Sequence, residues 1–160
     1  MGYEIERKFL VKGEYKSKSF KSFAIKQGYL SVSGVNVVRV RVIDDKAFIT
    51  VKSSAIADSI VRREWEYEIP VKDAEEMLLL CEEGMISKTR YLVEVGKHVF
   101  EVDEFYGDNE GLLIAEVELG HEDEPYEIPE WLGKEVTGNV RYYNSFLSMH
   151  PYKTWSTMND

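Results

Sequence analysis

The stretch VRREWEYEI, residues 61–69, alternates charged side chains with mostly apolar ones along its whole length. Successive side chains of a β-strand point to opposite faces of the sheet, so this spacing gives the strand two different faces. The first face is ionic and carries Arg62, Glu64, Glu66 and Glu68. The other face carries Val61, Arg63, Trp65, Tyr67 and Ile69. The pattern predicts a β-strand that buries one face and presents charge from the other.

Seven more strand-like runs surround this stretch. They cover residues 3–11, 24–32, 37–43, 46–52, 86–95, 98–105 and 112–120. Short turn signals at Ser33-Gly34, Asp44-Asp45 and Gly96-Lys97 separate consecutive runs, and a longer loop holds Gly107-Asp108-Asn109. Short connections favour antiparallel neighbours, so we expect an antiparallel sheet.

Two helices are predicted between and after the strands. The first follows Pro70, with Asp73 as its predicted N-cap and Gly84 as its predicted C-terminal stop. The second is predicted over residues 139–149. Eight antiparallel strands with two helices predict an α+β fold, and we expect the strands to close into a barrel. We expect residues 1–160 to form a single domain.

The composition restricts the classes of function. The 160 residues carry a formal net charge of −9, which argues against non-specific binding to nucleic acid or to an anionic membrane. No apolar run approaches the roughly 20 residues of a membrane span. The single cysteine, Cys81, excludes an intrachain disulfide. We therefore expect a cytoplasmic protein that acts on a small molecule, with neither nucleic acid nor membrane as its partner.

The charges on the ionic faces segregate by sign. The cations are Lys8, Arg39, Arg41, Lys52, Arg62, Lys88 and Arg90. Counted along the chain, the third and fourth strand-like runs carry cations, whereas the seventh and eighth carry carboxylates. An antiparallel sheet with one water-exposed side would also show alternation. We favour a barrel with the ionic faces inward, because like charges two residues apart repel one another unless a bound ion lies between them.

The two sets of charges suit two parts of one ligand. Arginine offers a planar fork of donors, and lysine a point charge, to phosphate oxygens. Carboxylates suit hard divalent cations such as Mg²⁺ or Mn²⁺. The carboxylate set consists of Glu4, Glu6, Glu116 and Glu118. Cations for phosphate beside carboxylates for metal predict metal-assisted phosphoryl transfer. The chain has no GxxxxGK[ST] loop, which excludes a P-loop enzyme.

With these residues identified, the sequence resembles the CYTH, or triphosphate tunnel metalloenzyme, family. The motifs that carry the resemblance are EIERK (4–8), RVR (39–41), TVK (50–52), RREWE (62–66), KTR (88–90), EVD (101–103) and AEVE (115–118). The segment EVTGNVRYYN, residues 135–144, also resembles the family's closing segment. The motifs occur in family order over about residues 4–145, and this ordered set is far more specific than any single motif.

The resemblance implies a closed eight-stranded antiparallel β-barrel with flanking helices, which forms a tunnel open at both ends. The tunnel would bind a triphosphate, with Mg²⁺ or Mn²⁺ as the cofactor. By similarity, the metal ligands are Glu4, Glu6, Asp103, Glu116 and Glu118. The substrate-binding residues are Lys8, Arg39, Arg41, Lys52, Arg62, Lys88 and Arg90. The residues expected to act in catalysis are Glu4, Glu6, Lys8, Glu64 and Glu66.

The chain is most similar to the tripolyphosphatase branch of the family, so we expect an enzyme that hydrolyses tripolyphosphate to pyrophosphate and phosphate. The alternatives within the family are a thiamine triphosphatase and a class IV adenylyl cyclase that makes cyclic AMP from ATP. A cyclase needs a nucleoside pocket, for which Tyr29, Trp131 and Tyr142 are the stacking candidates. A non-catalytic polyphosphate- or nucleotide-binding module would need the cations but not the metal carboxylates.

Oligomeric state depends on how the outer face of the barrel is covered. Val38, Val40, Val42 and Trp65 point outward if the ionic faces point inward. If the helices leave these side chains uncovered, we expect a homodimer, because large exposed apolar patches usually mark interfaces.

Overall fold

The computed structural model of the chain describes residues 2–32, 36–55, 59–81 and 84–157. Nine antiparallel strands within these residues form one sheet. Their bounds are β1 Gly2–Val11, β2 Ser19–Val32, β3 Val37–Ile43, β4 Lys46–Ala55, β5 Val61–Ile69, β6 Ile86–Val95, β7 His98–Phe105, β8 Leu113–Glu118 and β9 Leu132–Glu135. The two α-helices are α1 Val71–Leu78 and α2 Asn144–Met149. Short 3₁₀ helices cover Lys16–Lys18, Gly107–Asn109, Val140–Tyr142 and Tyr152–Thr157.

Eight of the nine strands close into a barrel. Their hydrogen-bonded order is β5-β4-β3-β2-β6-β7-β8-β1, and β1 also pairs with β5. Glu4 lies opposite Arg62 in this closing pair, and Glu6 lies opposite Glu118 where β1 pairs with β8. The predicted closed eight-stranded antiparallel barrel with flanking helices is therefore confirmed. The ninth strand, β9, pairs with β1 near Phe9, beyond the stretch that meets β5.

The strand boundaries follow the alternation of the sequence closely. The strands β3, β5, β6 and β7 have the predicted bounds, and β2 begins earlier than predicted, at Ser19. The alternation does not predict β9, because its sequence LGKE is short and lacks alternating apolar side chains. At two predicted turns, Asp44 and Gly96 adopt positive φ angles of 52° and 61°. The predicted turn at Ser33-Gly34 lies outside the described residues.

Helix α1 covers the outer face of β2, β3 and β4. Ala74 is fully buried against the outward side chains Val40 and Ala47. Pro70 is the N-cap, and its carbonyl accepts a hydrogen bond from the Ala74 amide at 3.0 Å. The prediction of Asp73 as N-cap is wrong, because the fixed backbone of Pro70 already starts the helix. Asp73 lies in the first turn, where a carboxylate stabilises the helix dipole.

The outer face of β1, β6, β7 and β8 is covered by the chain segment that leads into β9. Trp131 from this segment is buried, and its ring centroid lies 5.6 Å from that of Phe100 on β7. Phe9, Val93 and Val117 belong to the same cluster. Both halves of the barrel thus bury apolar outer faces, which leaves the charged faces on the inside.

The outward residues considered for a homodimer divide into two groups. Val40 is fully buried, and Val42 packs beside it under α1. Val38 and Trp65 are half-buried, and they belong to none of the three hydrophobic clusters found among the described residues. The homodimer stays a prediction.

The C-terminal segment fills one end of the barrel interior. The inward strand residues at this end are apolar: Leu10, Ile86, Phe105 and Ile114. They pack with Tyr142, Leu147 and Trp155. The resemblance implied a tunnel open at both ends, whereas hydrophobic side chains occupy the interior at this end. None of the helices in the described part of the chain is long and apolar enough to cross a lipid bilayer.

The predicted second helix, residues 139–149, is divided at Tyr143. A 3₁₀ turn over Val140–Tyr142 precedes this residue, and α2 follows it. Tyr143 has φ −80° and ψ 138°, an extended conformation that interrupts the helical hydrogen bonding. Its ring centroid lies 5.3 Å from the ammonium nitrogen of Lys8, so the break directs an aromatic ring toward a charged part of the barrel interior.

Gly84 lies against the C-terminal segment without room for a side chain. It belongs to the loop before β6, whereas α1 ends at Leu78, so the prediction that Gly84 ends the helix is wrong. Its φ is +78°, and a Cβ atom would lie 1.7 Å from the carbonyl oxygen of Ser148. Glycine at this position therefore allows α2 to approach the barrel closely.

We expect Gly84→Ala to lower the free energy of unfolding by roughly 3 kcal/mol or more, because overpacking adds to backbone strain. Gly107→Ala is the matched control, since Gly107 has φ +64° and no described atom lies within 4 Å of its Cβ position. Strain alone should cost the control about 1 kcal/mol. Urea unfolding measures both variants, and equal losses would contradict the close packing of the C-terminal segment on this loop.

Candidate active site

The inward charged side chains line a cavity of about 420 Å³ inside the barrel. Its carboxylates are Glu4, Glu6, Glu64, Glu66, Glu101, Glu116 and Glu118. Its cations are Lys8, Arg39, Arg41, Lys52, Arg62 and Arg90. The structure thus brings together every predicted site residue except Lys88 and Asp103, which are buried beside the cavity and do not line it. The ionic faces of the strands therefore point into the barrel, as predicted from the sequence.

Strand β3 brings two arginines into the cavity because Arg39 and Arg41 alternate with Val40, which is fully buried under α1. A slip of one residue would exchange the two faces, so the apolar core fixes the direction of both guanidinium groups. Arg39 Nη2 donates to Thr50 Oγ1 at 3.2 Å and lies 3.5 Å from Glu66 Oε2. Thr50 in turn donates to the same Glu66 oxygen at 2.8 Å, so these three side chains form one network.

Asp103 binds two cations at once. Its Oδ1 accepts from Arg90 Nε at 2.7 Å, and its Oδ2 accepts from Arg90 Nη2 at 2.9 Å and from Lys88 Nζ at 2.7 Å. Burial opposes ionisation of Asp103, but Arg90 and Lys88 outweigh that effect and lower its pKa. Lys88 also donates to Asn144 Oδ1 at 3.0 Å. Asp103 therefore holds Arg90 in place, and both of its oxygens are already engaged.

Lys52 of β4 contacts one carboxylate from each of the two strands that close the barrel, Glu4 of β1 and Glu64 of β5. Its ammonium donates to both oxygens of Glu4, at 3.0 and 2.9 Å, and lies 3.7 Å from Glu64 Oε2. Burial opposes ionisation of Glu4, but Lys52 outweighs it and lowers the pKa of Glu4. Burial and the charge of Glu4 raise the pKa of Glu64. Glu64 is therefore the more basic carboxylate of this group.

Lys8 connects the carboxylates of β8 with the C-terminal segment. Its Nζ lies 2.8 Å from Glu116 Oε2 and donates to the carbonyl oxygen of Tyr142 at 3.3 Å. The ring of Tyr143 lies 5.3 Å from this ammonium and 5.6 Å from the guanidinium carbon of Arg62, both within cation–π range. The segment that fills one end of the barrel thus contacts two cations of the cavity.

Glu6 lies among other carboxylates. Burial raises its pKa to about 8, and the charges of Glu116 and Glu4 act in the same direction. Glu118, its cross-strand neighbour, also has a raised pKa because of burial and the charge of Glu4. Apart from this effect of burial, the inward faces of β1 and β8 carry four carboxylates and one lysine into the cavity, so negative charge exceeds positive charge on these two strands.

This carboxylate group suits a hard divalent cation. Carboxylate oxygens are the ligands that Mg²⁺ and Mn²⁺ prefer, and a bound cation would offset the excess negative charge. Within the described residues, no three His, Cys, Asp or Glu side chains are already gathered around a common point for a metal. Glu4 and Glu116 instead form ion pairs with Lys52 and Lys8. The donor chemistry fits a metal, and coordination would require these carboxylates to turn away from the two ammonium groups.

Two carboxylates mark the open end of the cavity. The strands β5 and β8 run in the same direction, since both are antiparallel to β1, and β8 starts near the end that the C-terminal segment fills. Glu66 and Glu118 lie farther along these strands and are exposed. An anionic ligand at this end would meet these carboxylates and also Arg39, whose Nη2 lies 3.5 Å from Glu66 Oε2.

Tyr143 and Asn144 line the cavity, although the sequence pattern did not predict them as site residues. Residues 139–149 have apolar side chains at helical spacing, which predicts core packing and gives no sign that one residue leaves the helix. Gln27 was not predicted as a site residue either. It is a fully buried polar residue that donates to Tyr29 and accepts from Arg41. For Tyr143 and Asn144, the resemblance of residues 135–144 to the closing segment of the family was the signal that could have indicated a site. The sequence around Gln27 gave no such signal.

Comparison with known proteins gives consistent matches over nearly the whole chain. The profile of a family described as CYTH domain matches residues 2–145. The chain is 47% identical over 156 residues to a curated inorganic triphosphatase of Acetivibrio thermocellus, which covers 97% of this chain and 99% of that protein. It is 33% identical over 150 residues to an inorganic triphosphatase of Nitrosomonas europaea, covering 91% and 97%. A crystal structure described as that of an inorganic triphosphatase superposes with a TM-score of 0.67 at 33% identity and covers 93% of this chain and 96% of that one.

We expect Asp103→Asn to lower the free energy of unfolding by about 3–5 kcal/mol, because it leaves buried Lys88 and Arg90 without their shared anion. Asp108→Asn is the matched control, since Asp108 pairs with Lys153 at 2.8 Å and its side chain is 63% exposed. The control should lose about 1 kcal/mol at most. Urea unfolding measures both variants, and a loss at Asp103 no larger than that of the control would contradict its role as a buried counter-ion.

Proposed function

Because this chain belongs to the CYTH domain family, we propose that it is a divalent-metal-dependent triphosphatase, which hydrolyses tripolyphosphate to pyrophosphate and phosphate inside the barrel. The two relatives named inorganic triphosphatase, at 47% and 33% identity over nearly the full chain, support this proposal. The observation that carries it is one cavity with guanidinium groups on β3 and β6 and an excess of carboxylates on β1 and β8. Phosphate oxygens need the first set, and a divalent metal needs the second.

Phosphate binding would rest first on Arg39, Arg41 and Arg90, whose guanidinium groups are directed into the same cavity. Arg90 is held by Asp103 and Arg39 by Thr50, so both groups are oriented before substrate arrives. Lys8, Lys52 and Arg62 also line the cavity and would contact the remaining phosphates. Lys88 does not line the cavity, so we propose that it acts through Asp103 and Asn144 without touching substrate.

Metal binding would rest on Glu4, Glu6, Glu116 and Glu118. Asp103 is left out of this set, because both of its oxygens already accept hydrogen bonds from Arg90 and Lys88. A bound Mg²⁺ or Mn²⁺ would neutralise phosphate charge and polarise the phosphoryl group. The carboxylates supply the hard oxygen ligands for this ion, and burial keeps its field strong within the cavity.

Hydrolysis would proceed by in-line attack of water on a terminal phosphorus. The water oxygen bonds to that phosphorus, the bridging P–O bond breaks, and pyrophosphate leaves with the bonding electrons. We propose Glu64 as the acceptor of the water proton, because it lines the cavity and its pKa is raised by burial and by Glu4. Glu66 is the second candidate, and its Oε2 is held by Thr50. The cations stabilise the charge that develops on the leaving oxygens, so catalysis rests on positioning and charge.

The described residues support a cyclase reaction less well, because none of the three candidates for stacking on a nucleoside presents its ring to the cavity. Of the three candidates for stacking a nucleoside, Trp131 lies in the outer cluster, and Tyr142 packs in the end that the C-terminal segment fills. Tyr29 lines the cavity, but its ring is buried within the wall. We propose that the ligand is a small-molecule triphosphate and that the protein acts in the cytoplasm. The homodimer stays a prediction.

Product analysis of the purified protein tests this function. Tripolyphosphate, ATP and thiamine triphosphate are offered separately with Mg²⁺ or Mn²⁺, and phosphate, pyrophosphate and cyclic AMP are quantified. We expect phosphate and pyrophosphate to form fastest from tripolyphosphate, and none without metal. Cyclic AMP from ATP would replace the proposal with a cyclase, and tight binding of tripolyphosphate without any product would replace it with a binding module.

Replacement of Glu6 by Gln should separate metal binding from folding. The variant removes one oxygen ligand, so we expect a loss of turnover of roughly 100-fold or more, with weaker binding of Mn²⁺ in calorimetry. Its thermal stability without metal should not fall, because the carboxyl group it replaces is buried among like charges. Glu75→Gln on the exposed face of α1 is the control and should retain full activity. Normal turnover and Mn²⁺ affinity in Glu6→Gln would remove this residue from the metal site.

A further inference from the structure

Three of the four arginines that line the cavity, those on β3 and β6, differ in the partners that hold them. Arg90 is paired with a carboxylate, Asp103, through two hydrogen bonds of 2.7 and 2.9 Å. Arg39 has Thr50 at 3.2 Å and the carboxylate of Glu66 at 3.5 Å. Arg41 donates from Nε to the side-chain oxygen of Gln27 at 3.0 Å, and it forms no ion pair with any residue that the structure describes. Arg41 is therefore held by a neutral group.

Gln27 is well placed to orient this guanidinium group. It lies directly opposite Arg41 where β2 pairs with β3, and none of its surface is exposed. Its oxygen accepts from Arg41 and its amide nitrogen donates to Tyr29 Oη at 3.3 Å, so the amide group is fixed from both sides. Because a guanidinium group only donates, the oxygen of Gln27 must face Arg41. The Nε contact leaves the two terminal nitrogens of Arg41 free to face the cavity.

The charge of Arg41 is left uncompensated by this arrangement. Burial lowers the pKa of Arg41 to about 9, and the nearby guanidinium groups of Arg39 and Arg90 act in the same direction. Arginine nevertheless stays protonated in proteins, so a buried cation persists at this point. A carboxylate at position 27 would satisfy the same hydrogen bond and would also cancel the charge. An amide satisfies the bond and keeps the charge available for an anionic ligand.

We propose that Gln27 is a positioning residue, which orients Arg41 toward the substrate and, by being neutral, keeps the charge of Arg41 available for the phosphate oxygens. This inference rests on the proposed function, in that the ligand is taken to be a triphosphate. Gln27 touches no substrate in this account, and it acts only through Arg41.

Two substitutions at this position separate charge from hydrogen bonding. Gln27→Glu keeps the acceptor and adds a negative charge beside Arg41, so we expect the dissociation constant for tripolyphosphate and KM to rise at least tenfold, with kcat less affected. Gln27→Met keeps the length of the side chain but removes the acceptor, so we expect roughly a three- to tenfold rise in both constants. Stability should change in opposite directions, because Glu pairs with Arg41 whereas Met leaves its Nε unsatisfied.

Lys26→Gln is the matched control. It changes the net charge of the protein by the same amount as Gln27→Glu, one residue away on the same strand, but Lys26 is exposed on the outer side of the barrel. Binding of tripolyphosphate to the control should stay within about twofold of the wild type, since exposed charges are screened by salt. The control therefore measures how much of any effect comes from net charge alone.

Calorimetric titration with tripolyphosphate, thermal melting and steady-state kinetics on all four proteins decide the proposal. Weaker binding by Gln27→Glu at unchanged or higher melting temperature supports it. Wild-type affinity in either folded Gln27 variant overturns it and assigns Gln27 a packing role only. If Gln27→Glu does not fold, Gln27→Met decides by the same criterion. A wild type that binds tripolyphosphate without hydrolysing it contradicts the proposed function and leaves this test intact, whereas a wild type that does not bind it overturns both.

Discussion

The backbone pairing of β1 with β5 closes the barrel and thereby gives its strands an inside and an outside. Without it, β1 to β8 would form an open sheet, and their charged faces would meet water. With it, side chains of β1 reach those of β4 in the interior, as Glu4 of β1 and Lys52 of β4 do at 2.9 Å. The same closure sends apolar side chains outward, where α1 and the segment around Trp131 cover them. One backbone pairing thus creates both the hydrophobic shell and the charged cavity.

Burial of so many charges is tolerated only where opposite charges or polar groups satisfy them. Asp103 does this for Arg90 and Lys88, and Glu116 does it for Lys8. Compensation is incomplete at two places within the described residues. The inward faces of β1 and β8 carry four carboxylates and one lysine, and Arg41 has a neutral hydrogen-bond partner, Gln27. A divalent metal bound among the carboxylates and a phosphate group bound at Arg41 would neutralise these charges. The proposed function therefore follows from the charges that the folded protein does not pair by itself.

Much of this arrangement is predictable from the sequence, because alternation with a period of two is a local property. It correctly predicts that Arg39 and Glu64 face one way while Val40 and Trp65 face the other. The features that escape prediction depend on contacts distant in sequence. The extended backbone at Tyr143 depends on packing against the barrel end, and the role of Asp103 as a counter-ion depends on the register between β6 and β7. Gln27 escapes because a lone polar residue in a strand carries no local signal.

We propose that the cations and carboxylates of one cavity together hold a triphosphate and its metal. The most direct measurement is a crystal structure with Mn²⁺ and a non-hydrolysable imidotriphosphate, recorded with anomalous scattering from manganese. We predict a manganese peak among Glu4, Glu6, Glu116 and Glu118, with phosphate density against the guanidinium groups of Arg39, Arg41 and Arg90. Manganese and phosphate bound only outside the barrel, with the ion pairs of Lys52 and Lys8 unchanged, would contradict it.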